Sequence, residues 1–292
     1  MKLNDEENVK YSEIHTKLIY YVGRKENLIP TSTSFEEFMD YSPEEKFPIR
    51  NALYDNIHLL DDYIKEHTES LSEEDKSIIQ EFEHFKRGTF YVVKLTKKYA
   101  HFLGGKYVYG VYALNDPFQM FWGNNVPVMI QAVLLPFKGK IIYDGLISSY
   151  PIRFGRGIKN NIKNDYALSE GKYGIITELP EKIDTSNLEN SAEKELLIMM
   201  KTKSSREHNW YDIERLLEKH PELNAIYIRE WGRINSRKKK KELKELGIKK
   251  RHFAMYNDTI LVSGKTEKVV KGEVAELIGD DEKRKSVYYF KL

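Results

Sequence analysis

Residues 126–145 read VPVMIQAVLLPFKGKIIYDG and hold two apolar runs separated by a short turn. The run Val128–Leu135 shows little alternation between apolar and polar side chains, which is typical of a strand covered on both faces. Lys138 and Gly139 suit a tight turn, and the second run returns along the first. The stretch therefore predicts a central antiparallel hairpin in a β-rich domain.

More strands are predicted on the N-terminal side of this hairpin. The segments TFYVVKLTKKYAHFL (89–103) and KYVYGVYAL (106–114) are rich in aromatic and β-branched residues, and Gly104 and Gly105 between them favour a tight hairpin. A helix over 157–168 and a strand in YGIITELP (173–180) follow. Four or five antiparallel strands with one helix predict a small barrel or a strongly bent sheet.

The first 88 residues read as helices. Helix starts are predicted at three serines, each followed three residues later by an acid: Ser34, Ser42 and Ser72. The region holds 11 Lys and Arg against 20 Asp and Glu, a balance of −9, whereas residues 89–180 and 181–292 carry +6 and +5. This asymmetry suggests that the acidic region docks on the basic remainder of the chain or that each part meets a different partner.

These patterns predict an α+β protein in three regions: an acidic helical region (1–88), a central antiparallel β domain (89–180) and a basic C-terminal domain (181–292). LPEKIDTSNLENSA (179–192) is polar and turn-rich and is interpreted as a linker. The last region is expected to contain two helices, a short strand in NAIYIRE (224–230), a basic helix, a hairpin, a helix and a strand. This order fits a winged-helix-like domain, and a mixed α/β layout fits it as well.

The segment from Arg233 to Phe253 contains ten cations and two glutamates. Like charges four residues apart in a helix repel by a few tenths of a kcal/mol per pair, and a bound polyanion would relieve that repulsion. The segment is thus a candidate nucleic-acid interface, with an ordinary solvated helix face as the alternative. The candidate binding residues are Arg233, Arg237, Lys238, Lys239, Lys240, Lys241, Lys244, Lys249, Lys250 and Arg251.

A second basic segment, RFGRGIKNNIK (153–163), places two glycines just before a predicted helix. Free N–H groups at a helix start and nearby cations favour an anion, although the glycine spacing is not that of a Walker motif. The alternative is a plain turn with solvated cations. The candidate anion-binding residues are Arg153, Gly155, Arg156, Gly157 and Lys159.

Catalytic signals are sparse. Asp144 ends a buried strand, where active-site carboxylates often lie, but Asp-Gly is also a common turn. Glu207, His208 and Asp212 cluster in REHNWYDIE and could supply an acid–base or metal pair, although Asp212 is better interpreted as a helix cap. No cofactor motif or metal-binding spacing is recognised.

The segments LLPFKGKIIYDGLI (134–147) and FGRGIKN (154–160) resemble a segment found in a family of uncharacterised bacterial and archaeal proteins. The resemblance implies a shared module within the β domain and no particular activity.

Composition narrows the functional class. The chain has no cysteine, which excludes disulfides, thiolate metal sites and cysteine nucleophiles. No apolar run is long enough for a membrane span and no secretory signal is recognised, so a cytoplasmic protein is expected. We predict a non-catalytic nucleic-acid-binding protein; the alternatives are a metal-dependent nuclease or other enzyme of phosphate substrates, and a protein-interaction module.

Overall fold

The computed structural model describes residues 2–123, 125–182 and 191–292. The chain divides into two compact units, Met1–Thr185 (unit 1) and Ser186–Leu292 (unit 2). Each unit is described by itself. The predicted mixture of helices and strands is confirmed. Of the predicted linker, residues 183–190 lie outside the described residues.

Unit 1 begins with five helices, and capping boxes mark four of their starts, one at Asn4 and three at serines. Ser34, Ser42 and Ser72 each accept a hydrogen bond from the backbone N–H three residues on, and the acid there bonds back to the serine N–H. The three predicted starts are therefore confirmed. The helices are α1 (Asp5–Lys25), α2 (Phe35–Met39), α3 (Pro43–Asp55), α4 (Leu59–Glu66) and α5 (Glu73–Glu81).

The strands of unit 1 form a closed five-stranded barrel. They are β1 (Lys86–Leu95), β2 (Ala100–Gly104), β3 (Tyr107–Tyr112), β4 (Val128–Phe137), β5 (Lys140–Tyr143), β6 (Ser148–Ser149) and β7 (Ile175–Ile176). Neighbouring strands follow the order β1-β2-β3-β5-β4, and β4 pairs back with β1 from Leu134 opposite Lys86 to Val128 opposite Val92. The small barrel is thus confirmed.

Two details of the barrel differ from the prediction. The segment 89–103 is two strands, because the Thr96 hydroxyl bonds the backbone around Tyr99 and closes a turn there. The sheet is not purely antiparallel, since β3 pairs in parallel with both β5 and β7. Connections between parallel neighbours contain the helices α6 (Phe118–Trp122) and α7 (Arg156–Tyr173).

The acidic helices and the barrel share one core. Tyr11 of α1 packs edge-on against Phe82, which follows α5, and against Phe137 of β4. Ion pairs join the same layers, with Lys138 Nζ 2.7 Å from Glu74 Oε1 and Lys140 paired with Glu7. The sequence interpretation drew a boundary at residue 88, but side chains from both sides of it fill a single apolar cluster.

The centre of unit 2 is a three-stranded antiparallel sheet that packs between two of the helices of this unit. Its elements are α8 (Ser191–Met200), α9 (Lys203–His208), α10 (Trp210–Lys219), α11 (Asn224–Glu245), β8 (His252–Tyr256), β9 (Thr259–Gly264), α12 (Glu267–Leu277), α13 (Asp281–Arg284) and β10 (Val287–Lys291). The strand order is β10-β8-β9. Phe253 and Met255 face α11, whereas Ala254 between them faces α12, as strand alternation requires.

The predicted strand over 224–230 is wrong. A 3-10 turn at Pro221–Leu223 leads directly into α11, which runs unbroken through this segment. The strand preference of the two isoleucines in this segment does not decide its structure. Further along α11, the helix lies so close to β10 that a Cβ on Gly232 would lie 3.0 Å from Tyr288 Cβ. Within the described residues, no helix is long and apolar enough to cross a membrane.

Candidate functional site

The basic segment forms the C-terminal half of α11 and the loop that follows it. Gly232, Ser236 and Leu243 are the buried residues of this helix and define its inward side. Successive residues of an α-helix lie about 100° apart around its axis. This angle gives the direction of every other side chain relative to the three buried residues.

Five cations fall within one arc of about 100° on a single flank of α11. We call these five the basic stripe: Arg233, Arg237, Lys240, Lys241 and Lys244. At a rise of about 1.5 Å per residue they span roughly 16 Å. Glu242 and Glu245 lie outside this arc. Glu230, one turn before Arg233, falls within the arc and pairs with that arginine. From Arg233 onwards, the arc contains cations and no carboxylate.

The carboxylates of α11 neutralise the stripe only in part. Glu242 lies 3.0 Å from Lys239 and 3.9 Å from Lys238, both of which are outside the stripe. Glu245 lies 3.9 Å from Lys241, whose side chain stays 82% exposed. Exposed pairs of this kind contribute about 0–1 kcal/mol, so Lys241 remains available to an external anion.

The remaining members of the stripe differ in their surroundings. Arg233 Nε lies 2.6 Å from Glu230 Oε2, and Lys240 Nζ lies 5.3 Å from the centre of the Phe290 ring. Arg237 and Lys244 are exposed and have no carboxylate at ion-pair distance among the described residues. These two are the cations most free to meet a ligand.

Arg206 of α9 extends the positive region. Its guanidinium lies 5.2 Å from the centre of the Trp231 ring, and Nη1 donates to the Met200 carbonyl at 2.9 Å. Partial burial lowers the pKa of Arg206, the charges of Arg233 and Arg237 lower it further, and the Glu207 carboxylate raises it. Arg206 therefore lies close enough to two stripe arginines to be repelled by them, and Glu207 offsets part of this repulsion.

The last three candidate cations lie in the turn between α11 and β8. Lys249, Lys250 and Arg251 are exposed, and none has an ion pair within the part of the chain that the structure describes. They add three positive charges to the same segment.

The second basic segment lies on the surface of unit 1. Gly155 is the N-cap residue of α7 and offers no side-chain cap, and the first turn of α7 contains no acid. Arg153, Arg156 and Gly157 are exposed, and Lys159 is half-buried. Gly155 precedes the helix as predicted, whereas Gly157 lies inside α7. Among the described residues, only the cations named in the prediction accompany this helix start.

The catalytic candidates do not form one site. Glu207 is exposed and lies 3.6 Å from Lys203, and His208 ends α9. Asp212 lies in the first turn of α10, whose N-cap residue is Asn209, so its interpretation as the cap is wrong. Asp144 belongs to the other unit. Across residues 2–123, 125–182 and 191–292, no three His, Asp or Glu side chains converge on a metal position.

Asp144 has surroundings that the sequence did not predict. Its Oδ1 accepts from the Leu146 N–H at 3.1 Å, which is the expected turn, and Gly145 at φ +94° allows the chain to make it. Its Oδ2 lies 3.2 Å from Arg50 Nη1, and both side chains are almost fully buried. The turn therefore places a carboxylate inside unit 1.

Other polar groups surround this ion pair. His15 Nε2 lies 3.5 Å from the Tyr54 hydroxyl, and the pKa values of both residues respond to the charge on Arg50. Burial raises the pKa of Asp144 to about 7 and lowers that of His15 to about 3. We call this group the buried polar cluster: Tyr11, His15, Arg50, Tyr54, Tyr143 and Asp144.

Sequence analysis missed Arg206 and most of the buried polar cluster. Arg50 stands 94 positions before Asp144, and no local pattern joins them. Comparison with protein-family models, curated proteins and solved structures found no match to this chain. The resemblance to a bacterial and archaeal family therefore stays a prediction.

Proposed function

We propose that the protein binds nucleic acid through the basic stripe of α11, without catalysing a reaction on it. The observation that carries the proposal is the grouping of charge on this helix. Five cations lie on one flank, where Glu230 is the only carboxylate of the helix, and both glutamates of the last turns lie outside it. A flank of this kind matches a phosphate backbone, whose negative charges also run in a line.

The hairpin that follows α11 adds to this proposal. A recognition helix followed by a hairpin is the order that winged-helix proteins use on DNA. In unit 2 the buried side of α11 packs on β8 and β10. Arg237, Lys241 and Lys244 of the stripe are exposed. We propose that the stripe meets the backbone first and that the β8–β9 hairpin lies beside it.

The test is a fluorescence-anisotropy titration of the full chain with single- and double-stranded DNA and RNA over a salt series. If the five stripe cations each contact a phosphate, the slope of log K against log salt is about −4.5 on duplex DNA and about −3.5 on single strands. A chain that binds none of these nucleic acids at low salt contradicts the proposal.

A matched pair of variants locates the surface. Arg237→Gln with Lys244→Gln removes two stripe charges, and Lys238→Gln with Lys239→Gln removes two charges beside Glu242. We expect the first pair to make the slope shallower by about two and the second by less than one. Equal effects would show that net charge alone attracts the nucleic acid and that the stripe has no special part.

The two alternative functions predict different results. A nuclease would degrade the labelled strands in the presence of divalent cations, and a protein-interaction module would bind no nucleic acid. If the natural partner is an acidic protein, adding the chain would leave the anisotropy of every nucleic-acid probe unchanged. The same titration therefore separates the three functions.

A further inference from the structure

The short helix α6 places large apolar side chains on the surface of unit 1. Phe118 is buried in the core, and its ring stacks on that of Trp122 with 5.4 Å between the ring centres. Met120 and Phe121, which lie between these two residues, are 74% and 52% exposed. Single exposed apolar side chains are common, but neighbouring ones that form a patch mark an interaction surface.

Two neighbouring cavities share Phe121 as a wall. The larger measures about 380 Å³ and lies between the first helices and the end of β5. The smaller measures about 190 Å³ and is lined by Pro43 and Trp122 as well. Both greatly exceed the volume of one water molecule, about 30 Å³. Tyr143 and Leu146 also line both cavities, so the two form one depression beside α6, which we call the α6 groove.

The rim of the α6 groove is acidic. Residues 34–45 contain five Asp and Glu and no Lys or Arg. This stretch reaches both cavities, with Phe38 in the lining of the larger and Pro43 in that of the smaller. Asp116, from the other side of the sequence, is exposed and lines the larger cavity, and Glu44 is exposed in the first turn of α3. Among the described residues, neither of these two acids has a cation at ion-pair distance.

One cation, Lys46, lies in the lining of the groove. Its Nζ donates to the Met39 carbonyl at 3.0 Å and lies 5.4 Å from the centre of the Phe38 ring. Burial lowers the pKa of Lys46, and the nearby carboxylates of Asp40 and Glu45 raise it. No other Lys or Arg of the described residues lines either cavity. Acids therefore outnumber cations around the groove, which favours a positively charged partner.

We propose that the α6 groove binds a basic amphipathic helix of a partner protein. Large apolar side chains of that helix enter the two cavities beside Phe121, and its Lys or Arg side chains meet Asp116, Glu44 and the other acids of the rim. The exposed Met120 adapts its shape to the partner, as methionines do at binding surfaces. The same rim repels nucleic acid and acidic lipids. The groove belongs to unit 1 and the basic stripe to unit 2, so this proposal is independent of nucleic-acid binding.

The experiment is a fluorescence-anisotropy titration of the full chain with two labelled synthetic helices of about 15 residues. Both peptides have the same leucines on one face, and the polar positions are lysine in one peptide and glutamate in the other. We expect the lysine peptide to bind with a Kd below about 100 μM and the glutamate peptide roughly 10-fold more weakly or less. Phe121→Ala is expected to weaken binding of the lysine peptide roughly 10-fold. Its control is Ile158→Ala, at a residue of α7 that is 53% exposed and lies outside both cavities.

A charge-matched pair of variants distinguishes the groove from general attraction to acidic residues, and it keeps the test valid if Phe121→Ala disturbs folding. Asp116→Asn with Glu44→Gln removes two charges of the rim, and Asp61→Asn with Glu69→Gln removes two exposed charges elsewhere in unit 1. We expect the first pair to weaken binding of the lysine peptide roughly 5-fold and the second less than about 2-fold. The proposal is overturned if the lysine peptide does not bind, if the glutamate peptide binds as tightly, or if either groove variant binds like its control.

Discussion

Asp144 and His15 respond to pH in opposite directions, although they belong to the same buried polar cluster. Burial raises the pKa of Asp144 from 3.8 to about 7, and Arg50 only partly offsets this rise. Burial and the Arg50 charge lower the pKa of His15 from 6.5 to about 3. Burial therefore shifts both side chains toward their uncharged forms, Asp144 below about pH 7 and His15 above about pH 3.

The effect of these pKa shifts on stability follows from the number of protons that the folded and the unfolded chain bind. Between pH 3.8 and about 7 the folded chain holds a proton on Asp144 that the unfolded chain has lost, so the Asp144 contribution falls as pH rises. Between about pH 3 and pH 6.5 the unfolded chain holds a proton on His15 that the folded chain lacks, so the His15 contribution falls as pH falls. The two effects oppose each other across most of this window.

We predict that two single variants reveal the opposed effects. Relative to the unaltered chain, Asp144→Asn is expected to gain stability as pH rises from 4 to 7, and His15→Gln as pH falls from 6.5 to 4. Urea unfolding at a series of pH values measures both differences. Slopes of the same sign for the two variants would contradict the assignment.

At the scale of helices and strands, the sequence predicted the helix starts and turns that depend only on residues close together along the chain. Each capping serine bonds a residue three positions on, so its helix start could be predicted without the fold. The Lys138–Gly139 turn joins β4 and β5 for the same reason. Two features depend on contacts between distant parts of the chain and were missed: the Arg50–Asp144 ion pair and the parallel pairing of β3. The helical state of 224–230 was missed as well.

Two glycines in helices of unit 2 lead to opposite predictions. Gly232 of α11 lies against Tyr288, whereas a Cβ on Gly272 of α12 would meet no atom within 4 Å. Gly232→Val is expected to lower the free energy of unfolding by about 1–3 kcal/mol through overpacking. Gly272→Ala should raise it by about 0.5–1 kcal/mol, because alanine favours the helix.

Chemical denaturation of both variants checks this pair of predictions. The free energy of unfolding is expected to fall for Gly232→Val because α11 lies close to β10. It is expected to rise for Gly272→Ala because the added methyl group faces open solvent. A stable Gly232→Val variant would mean that α11 can move away from the sheet at little cost.

At the scale of the whole chain, the division into two units limits what a truncation can show. Residues 1–88 supply Leu18, Leu53 and Phe82 to the core that the barrel completes. Deleting them would remove the core of unit 1 together with the acidic charge. The expectation that this acidic region docks on the basic remainder of the chain therefore needs substitutions at exposed acids rather than a deletion.

Two compact units predict two unfolding transitions in calorimetry. Arg50→Met leaves Asp144 buried without its partner and should lower the stability of unit 1 by about 3–5 kcal/mol. Gly232→Val should move only the transition of unit 2. A single transition that both variants shift equally would show that the chain unfolds as one cooperative body.

Closure of the barrel also bears on self-association. The long strands β1 and β4 each have partners on both sides, so neither offers a free edge to another chain. In the sheet of unit 2, β9 and β10 each pair with β8 alone among the described residues. Aggregation by strand addition is therefore expected to begin at these two outer strands, and charged substitutions that improve solubility belong there.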